Sequence, residues 1–293
     1  MTSFALVVNP TSGKGRAAAA ADVATAGLTA AGHTVDRLVG TDGPDAERLC
    51  RAAVSGDVDA IVAVGGDGMA HLALQACAGT ATALGIIPTG TGNDLANALG
   101  LPVDDAAAST ALLADGVVRS IDAVRCGEAW WACVLGTGFD AAVNDRANRM
   151  RWPRGRRRYD LAILAELRSY RPRHFVLDID GMPAEVDAML VALGNAPSYG
   201  GGMKVCPDAK LDDGLLDVVV VGPLTRRRFL RLFPRVFAGT HVADPSVTVF
   251  RGREVRLDGP ATAYADGEPM GPLPLTSRVE PGALRVIGVP AGT

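Results

Sequence analysis

Ala60-Ile61-Val62-Ala63-Val64-Gly65-Gly66-Asp67-Gly68 is an apolar run that breaks on glycines, and the residues behind it, through His71 and Gln75, continue as a helix-like segment. A strand that ends on glycines and enters a helix presents backbone N–H groups to an anion with no Cβ in the way. The same order recurs on both sides. Upstream, Phe4 to Val8 is a short apolar strand, followed by the polar turn Asn9-Pro10-Thr11-Ser12-Gly13-Lys14-Gly15-Arg16 and an alanine-rich helix from Ala17 to about Ala31. That turn lacks the GxxxxGK[ST] spacing of a Walker A loop. Next come a strand near His33 to Leu38, a loop with Thr41 and Asp42, and a helix over Pro44 to Ser55. Downstream, Leu84 to Pro88 leads through Thr89-Gly90-Thr91-Gly92-Asn93-Asp94 into another helix. This alternation predicts a mostly parallel α/β sheet with flanking helices, whose ligands sit beyond the carboxyl ends of its strands. Asp94 stands where a helix cap is common. With Asp67 it also forms a pair of acids at one sheet edge, which suits a magnesium ion bridging phosphates.

After a helix around Asp104 to Ala114 the texture changes. Ser120 to Arg125 and Ala129 to Leu135 read as strands, followed by Gly136-Thr137-Gly138-Phe139-Asp140, and further short strands are expected over Phe175 to Ile179, Ala188 to Gly194, Leu216 to Val221, Ser246 to Phe250, Glu254 to Asp258 and Leu284 to Val289. Many short strands separated by turn residues predict an antiparallel, sandwich-like unit. The boundary is placed near Val124, giving a nucleotide-binding α/β unit over 1–123 and a β-rich unit over 124–293. Two helical inserts interrupt the second unit. Asp145 to Ser169 lies in a segment rich in arginine, and Thr225 to Ala238 carries Arg226, Arg227, Arg228, Arg231 and Arg235. Such arginines fit a solvated helix face with snorkelling stems, or attraction to an anionic membrane surface.

At 293 residues, two domains are the expected number. No run approaches the roughly 18–20 apolar residues of a membrane span, and the N-terminus lacks the basic start and cleavage site of a signal peptide, so a cytoplasmic protein is expected. The five cysteines are scattered and without CxxC pairing, which gives neither a disulfide framework nor a zinc site. A net charge of −3 argues against a general nucleic-acid binder.

Taken together, the motifs resemble the diacylglycerol kinase catalytic family, in particular its soluble bacterial lipid kinases. The residues that carry the likeness are Asn9 to Gly13, Gly65 to Gly68, Pro88 to Asp94, Gly136 to Asp140, Gly194-Asn195 with Gly200 to Met203, Pro207 to Asp217, and Asp266-Gly267-Glu268. The resemblance implies Mg²⁺- and ATP-dependent transfer of the γ-phosphoryl group to a lipid hydroxyl, with diacylglycerol the first candidate. The reaction would take place in a cleft between the two units, on lipid presented at a membrane. That would make the protein cytoplasmic and peripheral to the inner face of the cell membrane. A homodimer is compatible with the sequence. By the same resemblance the nucleotide contacts are Asn9, Pro10, Thr11, Ser12, Gly13, Thr41, Gly65, Gly66, Asp67, Gly68 and Thr91, with Asn93 and Asp94 in the adjoining turn. Asp67, Asp94 and Asp122 would form the network around the catalytic Mg²⁺. Lys210, Asp213 and Leu215 would hold a structural Mg²⁺, and either Asp266 or Glu268 would be the base.

The chain departs from the family behind its glycine loop, where Thr and then Asn-Glu are usual and Met69, His71 and Leu72 stand instead. A histidine there can donate to a phosphate oxygen as the amide would. Two other readings follow. NAD kinases share a GGDG loop, but the segments from Gly194 to Asp217 speak for the lipid kinases. A lipid-binding pseudokinase would explain Met69 and Leu72, but the retained Asp94, Asp122, Asp213 and Glu268 oppose it.

Overall fold

The computed structural model of the protein describes residues 1–9, 15–150, 152, 161–162, 165–166 and 170–288. The expected nucleotide contacts Pro10, Thr11, Ser12 and Gly13 lie outside them, as does much of the first arginine-rich insert. The first half runs β1 (Ser3–Val8), α1 (Arg16–Ala30), β2 (Thr34–Val39), α2 (Gly43–Ser55), β3 (Ala60–Gly65), α3 (Asp67–Cys77), β4 (Ala83–Pro88), α4 (Asp94–Ala98) and α5 (Ala106–Asp115). Its strands pair in parallel in the order β2-β1-β3-β4. Helices cover both faces, so the central strands are apolar throughout. On one face Phe4, Leu6, Val62 and Ile87 pack against Leu28 and Leu113, and on the other Val7, Ile61 and Ile86 pack against Cys50 and Leu74. Register levels the carboxyl ends, since Val8 pairs with both Val39 and Val64, and Gly65 pairs with Pro88. The turns that follow β2, β3 and β4 therefore leave the sheet from one edge.

The second half comprises β5 (Val118–Cys126), β6 (Ala129–Trp131), β7 (Val134–Gly138), α6 (Phe139–Arg149), β8 (Arg173–Ile179), β9 (Met182–Ala188), β10 (Leu190–Gly194), β11 (Leu216–Val221), α7 (Arg226–Ala238), β12 (Val247–Gly252), β13 (Glu254–Asp258), β14 (Thr262–Ala265), β15 (Glu268–Pro272) and β16 (Leu275–Ile287). One sheet is antiparallel, in the order β12-β11-β10-β7-β14-β15, while β16-β13-β8-β9 continues the first sheet outward from β4. Side chains of the two sheets meet between them, with Phe175, Leu177, Val255 and Leu257 from one and Leu135, Val191, Val218 and Ala263 from the other. This is the expected antiparallel sandwich. The strand expected over Ala129 to Leu135 is two strands, and β7 continues through Gly136-Thr137-Gly138 into α6. Gly138 has φ +83°, and a Cβ there would lie 2.7 Å from the Met189 carbonyl oxygen. The two halves share their last strand. Leu284 to Ile287 of β16 pair with Val118 to Ile121, and Val286 pairs with Leu84 of β4.

Candidate active site

Two of the turns at the carboxyl edge press backbone against backbone. A Cβ on Gly90 would lie 2.6 Å from Gly66 Cα, and one on Gly92 would lie 2.5 Å from Asp67 Oδ2. The turn before α4 is held by Asn93, in the left-handed region at φ 54°, whose side chain accepts from Gly90 N–H at 3.0 Å and donates to Gly90 C=O at 3.2 Å. Asp67 accepts from the N–H groups of Asn93 (2.9 Å) and Asp94 (2.6 Å), so one motif is bolted to the next. Asp94 in turn accepts from Gly200 (2.7 Å) and Gly201 (3.2 Å), which binds the nucleotide-side turn to the second half of the chain. Burial, reinforced by the negative charge of Asp67, pushes the Asp94 carboxyl up to about 6. The first turn of α3 carries no side-chain cap, which leaves its N–H groups suited to an anion. Arg16 braces the same edge by donating to Thr89 C=O at 2.9 Å and pairing with Asp104 at 3.1 Å.

The facing wall comes from the turn between β14 and β15. Asp266 sits in the left-handed region at φ 51°. Its two carboxylate oxygens accept from Ala132 (2.7 Å), Cys133 (2.9 Å) and Val134 (3.2 Å), clamping the entry to β7. Burial raises its pKa, against the pull of these N–H donors and of His71. Glu268 has no hydrogen bond or ion pair among the described residues, and its Oε1 lies 3.7 Å from where a Cβ on Gly68 would stand. The acidic turn therefore faces the glycine loop through Glu268.

Between these walls lies a cavity of about 890 Å³, within the usual range of ligand sites. Asp67, Gly68, Thr91, Asp94, Asp266 and Glu268 line its polar part, and Phe139, Leu190, Met203, Phe229, Leu232 and Phe233 line its apolar part. Asn9, Thr41, Gly65, Gly66 and Asn93 lie at the same sheet edge without lining it. The Thr41 hydroxyl donates to Asp45 at the start of α2, at 3.2 Å. Met69 is buried in the core beneath the loop and Leu72 packs against that core. His71 does not line the cavity either. Its Nε2 lies 3.2 Å from the Gln75 amide, which binds the backbone of Trp130, and its Nδ1 is buried without a hydrogen-bond partner among the described residues. The cradle of Ala132, Cys133 and Val134 and the Asp94 contacts with Gly200 and Gly201 were not singled out from sequence. Main-chain donors leave no side-chain signature, and only the run Gly200-Gly201-Gly202 pointed to the second.

The two metal expectations fare differently. Asp67 and Asp94 are neighbouring acids whose repulsion raises the pKa of one of them, so a cation at that end of the cavity would relieve both. Two carboxylates fit an ion such as Mg²⁺ that brings its remaining ligands as phosphate and water oxygens. Asp122 is not with them. It is buried on β5 and accepts from Gly214 (2.7 Å) and Gly282 (2.8 Å), away from the cavity lining. In the segment Lys210 to Leu215 the carboxylate expected to hold a second ion is engaged by an arginine. The Asp213 carboxylate faces the Arg251 guanidinium and accepts from Leu215 N–H at 3.1 Å, and Arg251 Nε also donates to the buried Asp217 at 2.6 Å. Arg251 is thus shared between two carboxylates, and one Asp213 oxygen faces a guanidinium where the metal was expected. Among the described residues no group of three or more His, Cys, Asp or Glu side chains is gathered for a metal.

The profile of the diacylglycerol kinase catalytic domain matches residues 3–126, and that of the YegS C-terminal NAD kinase beta sandwich-like domain matches 133–288. The chain is 45% identical over 288 residues to a Mycobacterium tuberculosis protein named Diacylglycerol kinase, covering 96% of this chain and 93% of that one. It is 32% identical to a Probable lipid kinase YegS-like protein of Stenotrophomonas maltophilia, covering 87% and 86%. A crystal structure of a putative diacylglycerol kinase from Bacillus anthracis superposes with a TM-score of 0.83 at 24% identity, covering 100% and 97%, which shows the shared fold. With both halves matched in order and most of its length shared with these relatives, the chain belongs to the diacylglycerol kinase catalytic family of lipid kinases, which are phosphotransferases.

Proposed function

We propose that the protein transfers the γ-phosphoryl group of ATP, with Mg²⁺, to the hydroxyl of diacylglycerol, and that Glu268 is the general base. The observation that carries this reading is the Glu268 carboxylate, without a side-chain partner among the described residues, opposite Gly68 in a cavity that has both polar and apolar lining. The acyl chains lie among Phe139, Leu190 and Phe229, and the phosphates lie over the first turn of α3. Glu268 takes the proton of the alcohol as its oxygen bonds to the γ-phosphorus and the bond to the departing ADP breaks. Asp67 and Asp94 are the residues that would hold Mg²⁺, which would supply charge neutralisation for the phosphates. Asp266 positions rather than reacts, because its carboxylate accepts three main-chain N–H groups ahead of β7, which leaves Glu268 as the acid of this turn that faces Gly68. Diacylglycerol as acceptor is supported by the name of the 45%-identical relative. Neither Met69 nor Leu72 lines the cavity, so the residues that motivated a pseudokinase take no polar group from it.

The test is incubation of the purified protein with Mg²⁺-ATP and a native lipid extract, with mass spectrometry of the lipid that gains a phosphate. Phosphatidic acid is the expected product. Measurable ATP binding without any phosphorylated lipid would instead favour the pseudokinase. Glu268→Gln should lower kcat by about 10²–10⁴-fold with KM for ATP little changed. A loss of only a few-fold would remove Glu268 from the role.

A further inference from the structure

We propose that helix α7 is the surface on which the protein docks to an anionic lipid bilayer, with the apolar cavity opening toward that bilayer. The proposal rests on the lipid-kinase reading and adds the partner and the face that meets it. The helix has two different sides. Its inner side carries Phe229, Leu232 and Phe233 into the cavity wall. An aromatic series leads from the cavity toward solvent. Phe139 and Phe229 have ring centroids 4.7 Å apart, Phe229 and Phe233 6.0 Å, and Phe233 and Phe237 5.9 Å. Exposure rises along it from 9% at Phe229 to 38% at Phe237, so apolar surface runs unbroken from the site to the outside.

The outer side joins charge to apolar surface. Residues three and four apart share a helix face, and Arg227, Leu230 and Arg231 are such a set, all exposed, with Leu230 at 51%. The helix holds five arginines and no acid, in a protein whose net charge is −3. Asp244 takes Arg228 at 2.8 Å and Arg235 at 3.4 Å. Arg227 and Arg231 have no ion pair or hydrogen bond among the described residues. A solvated face accounts for the arginines, whereas Leu230 between two of them, beside an apolar path out of the cavity, also offers apolar surface next to the charge. A bilayer interface uses both, because the guanidinium groups meet anionic headgroups while the leucine enters the acyl boundary. No described helix is long and apolar enough to cross a membrane, so α7 would lie on the surface.

The experiment measures sedimentation with sucrose-loaded vesicles of phosphatidylcholine alone or mixed with phosphatidylglycerol, for wild type, Arg227→Gln/Arg231→Gln and Leu230→Ser. Kinase activity on short-chain diacylglycerol in detergent micelles is measured in parallel. Wild type should bind only the anionic vesicles, and binding should fall as salt rises. The double variant should bind roughly tenfold to thirtyfold more weakly, at about 1 kcal/mol for each arginine, and Leu230→Ser should weaken binding several-fold. None of these residues lines the cavity, so micellar activity should be unchanged. Equal binding to both vesicle types, or variants that bind as wild type does, would overturn the proposal. Failure of the wild type to phosphorylate lipid in micelles strikes the kinase reading instead. If a variant loses micellar activity, amide exchange of wild type decides: protection of residues 226–238 on adding anionic vesicles supports docking through α7, and protection elsewhere overturns it.

Discussion

Asp94 is a carboxylate kept in a position that costs stability. Its pKa in the folded protein is about 6, above the ordinary 3.8, because it is buried beside Asp67. Between those two values the folded state holds more protons than the unfolded chain, so stability falls as pH rises. The contribution is complete below the lower value and lost as pH passes through the upper one. Asp94→Asn removes the charge while keeping one acceptor for Gly200 or Gly201. The nucleotide-free variant should be more stable than wild type at pH 8 by about 1–2 kcal/mol, with the gap closing by pH 5, while turnover drops. Urea unfolding at the two pH values checks this, and a gap that widens at low pH would refute it. The presence of Asp67, Asp94, Asp266 and Glu268 was legible in the sequence, but their division of labour was not. Which oxygen is already taken by a main-chain N–H from over a hundred residues away, as at Asp266, depends on how the chain folds back.

At the scale of elements, the parallel half was legible because its central strands β1, β3 and β4 are short apolar runs that end in polar, glycine- or proline-bearing turns, and its helices match to within about two residues. The second half was harder. β9 is exposed on one side and contains Pro183, and β15 contains Pro269, Gly271 and Pro272, residues that signal turns. Their place in the sandwich comes from pairing partners far along the chain. In the loop before β11, Pro207 to Asp217 resembles a metal segment, and the guanidinium that faces Asp213 arrives from β12, which the sequence did not signal. Arg251→Ala leaves Asp217, whose side chain is only 2% exposed, without its cation, and should lower stability by about 2 kcal/mol in urea unfolding. Millimolar Mg²⁺ or EDTA should leave the wild-type Tm unmoved in the absence of nucleotide. A Mg²⁺-dependent rise in Tm that Asp213→Asn abolishes would show that an ion, not Arg251, braces this loop.

Across the whole molecule, the last strand and two buried polar residues join the halves that the sequence separates near Val124. Among the described strands, β5 pairs with β16 over most of its length and otherwise with β6. Asp122 receives N–H groups from Gly214 and Gly282, and the Asn195 amide donates to the carbonyls of Asp122 (3.1 Å) and Ala132 (2.8 Å). Cutting the chain after residue 126 would strip β5 of both neighbours and leave Ile121 and Val124, each fully buried, facing water. Each such side chain loses roughly 1.5–3 kcal/mol of burial, and Asp122 loses its partners as well. These losses approach the 5–15 kcal/mol that holds a domain folded. Residues 1–126 expressed alone should therefore show no cooperative thermal transition, and the full chain should unfold in a single calorimetric step. Two resolved transitions in the full chain, or a sharp one in the fragment, would mean that the α/β unit stands without β16. A cavity walled by both halves would then be free to open and close as a hinge, whereas a single transition is what coupling through β16, Asp122 and Asn195 predicts, with Glu268 kept opposite Gly68.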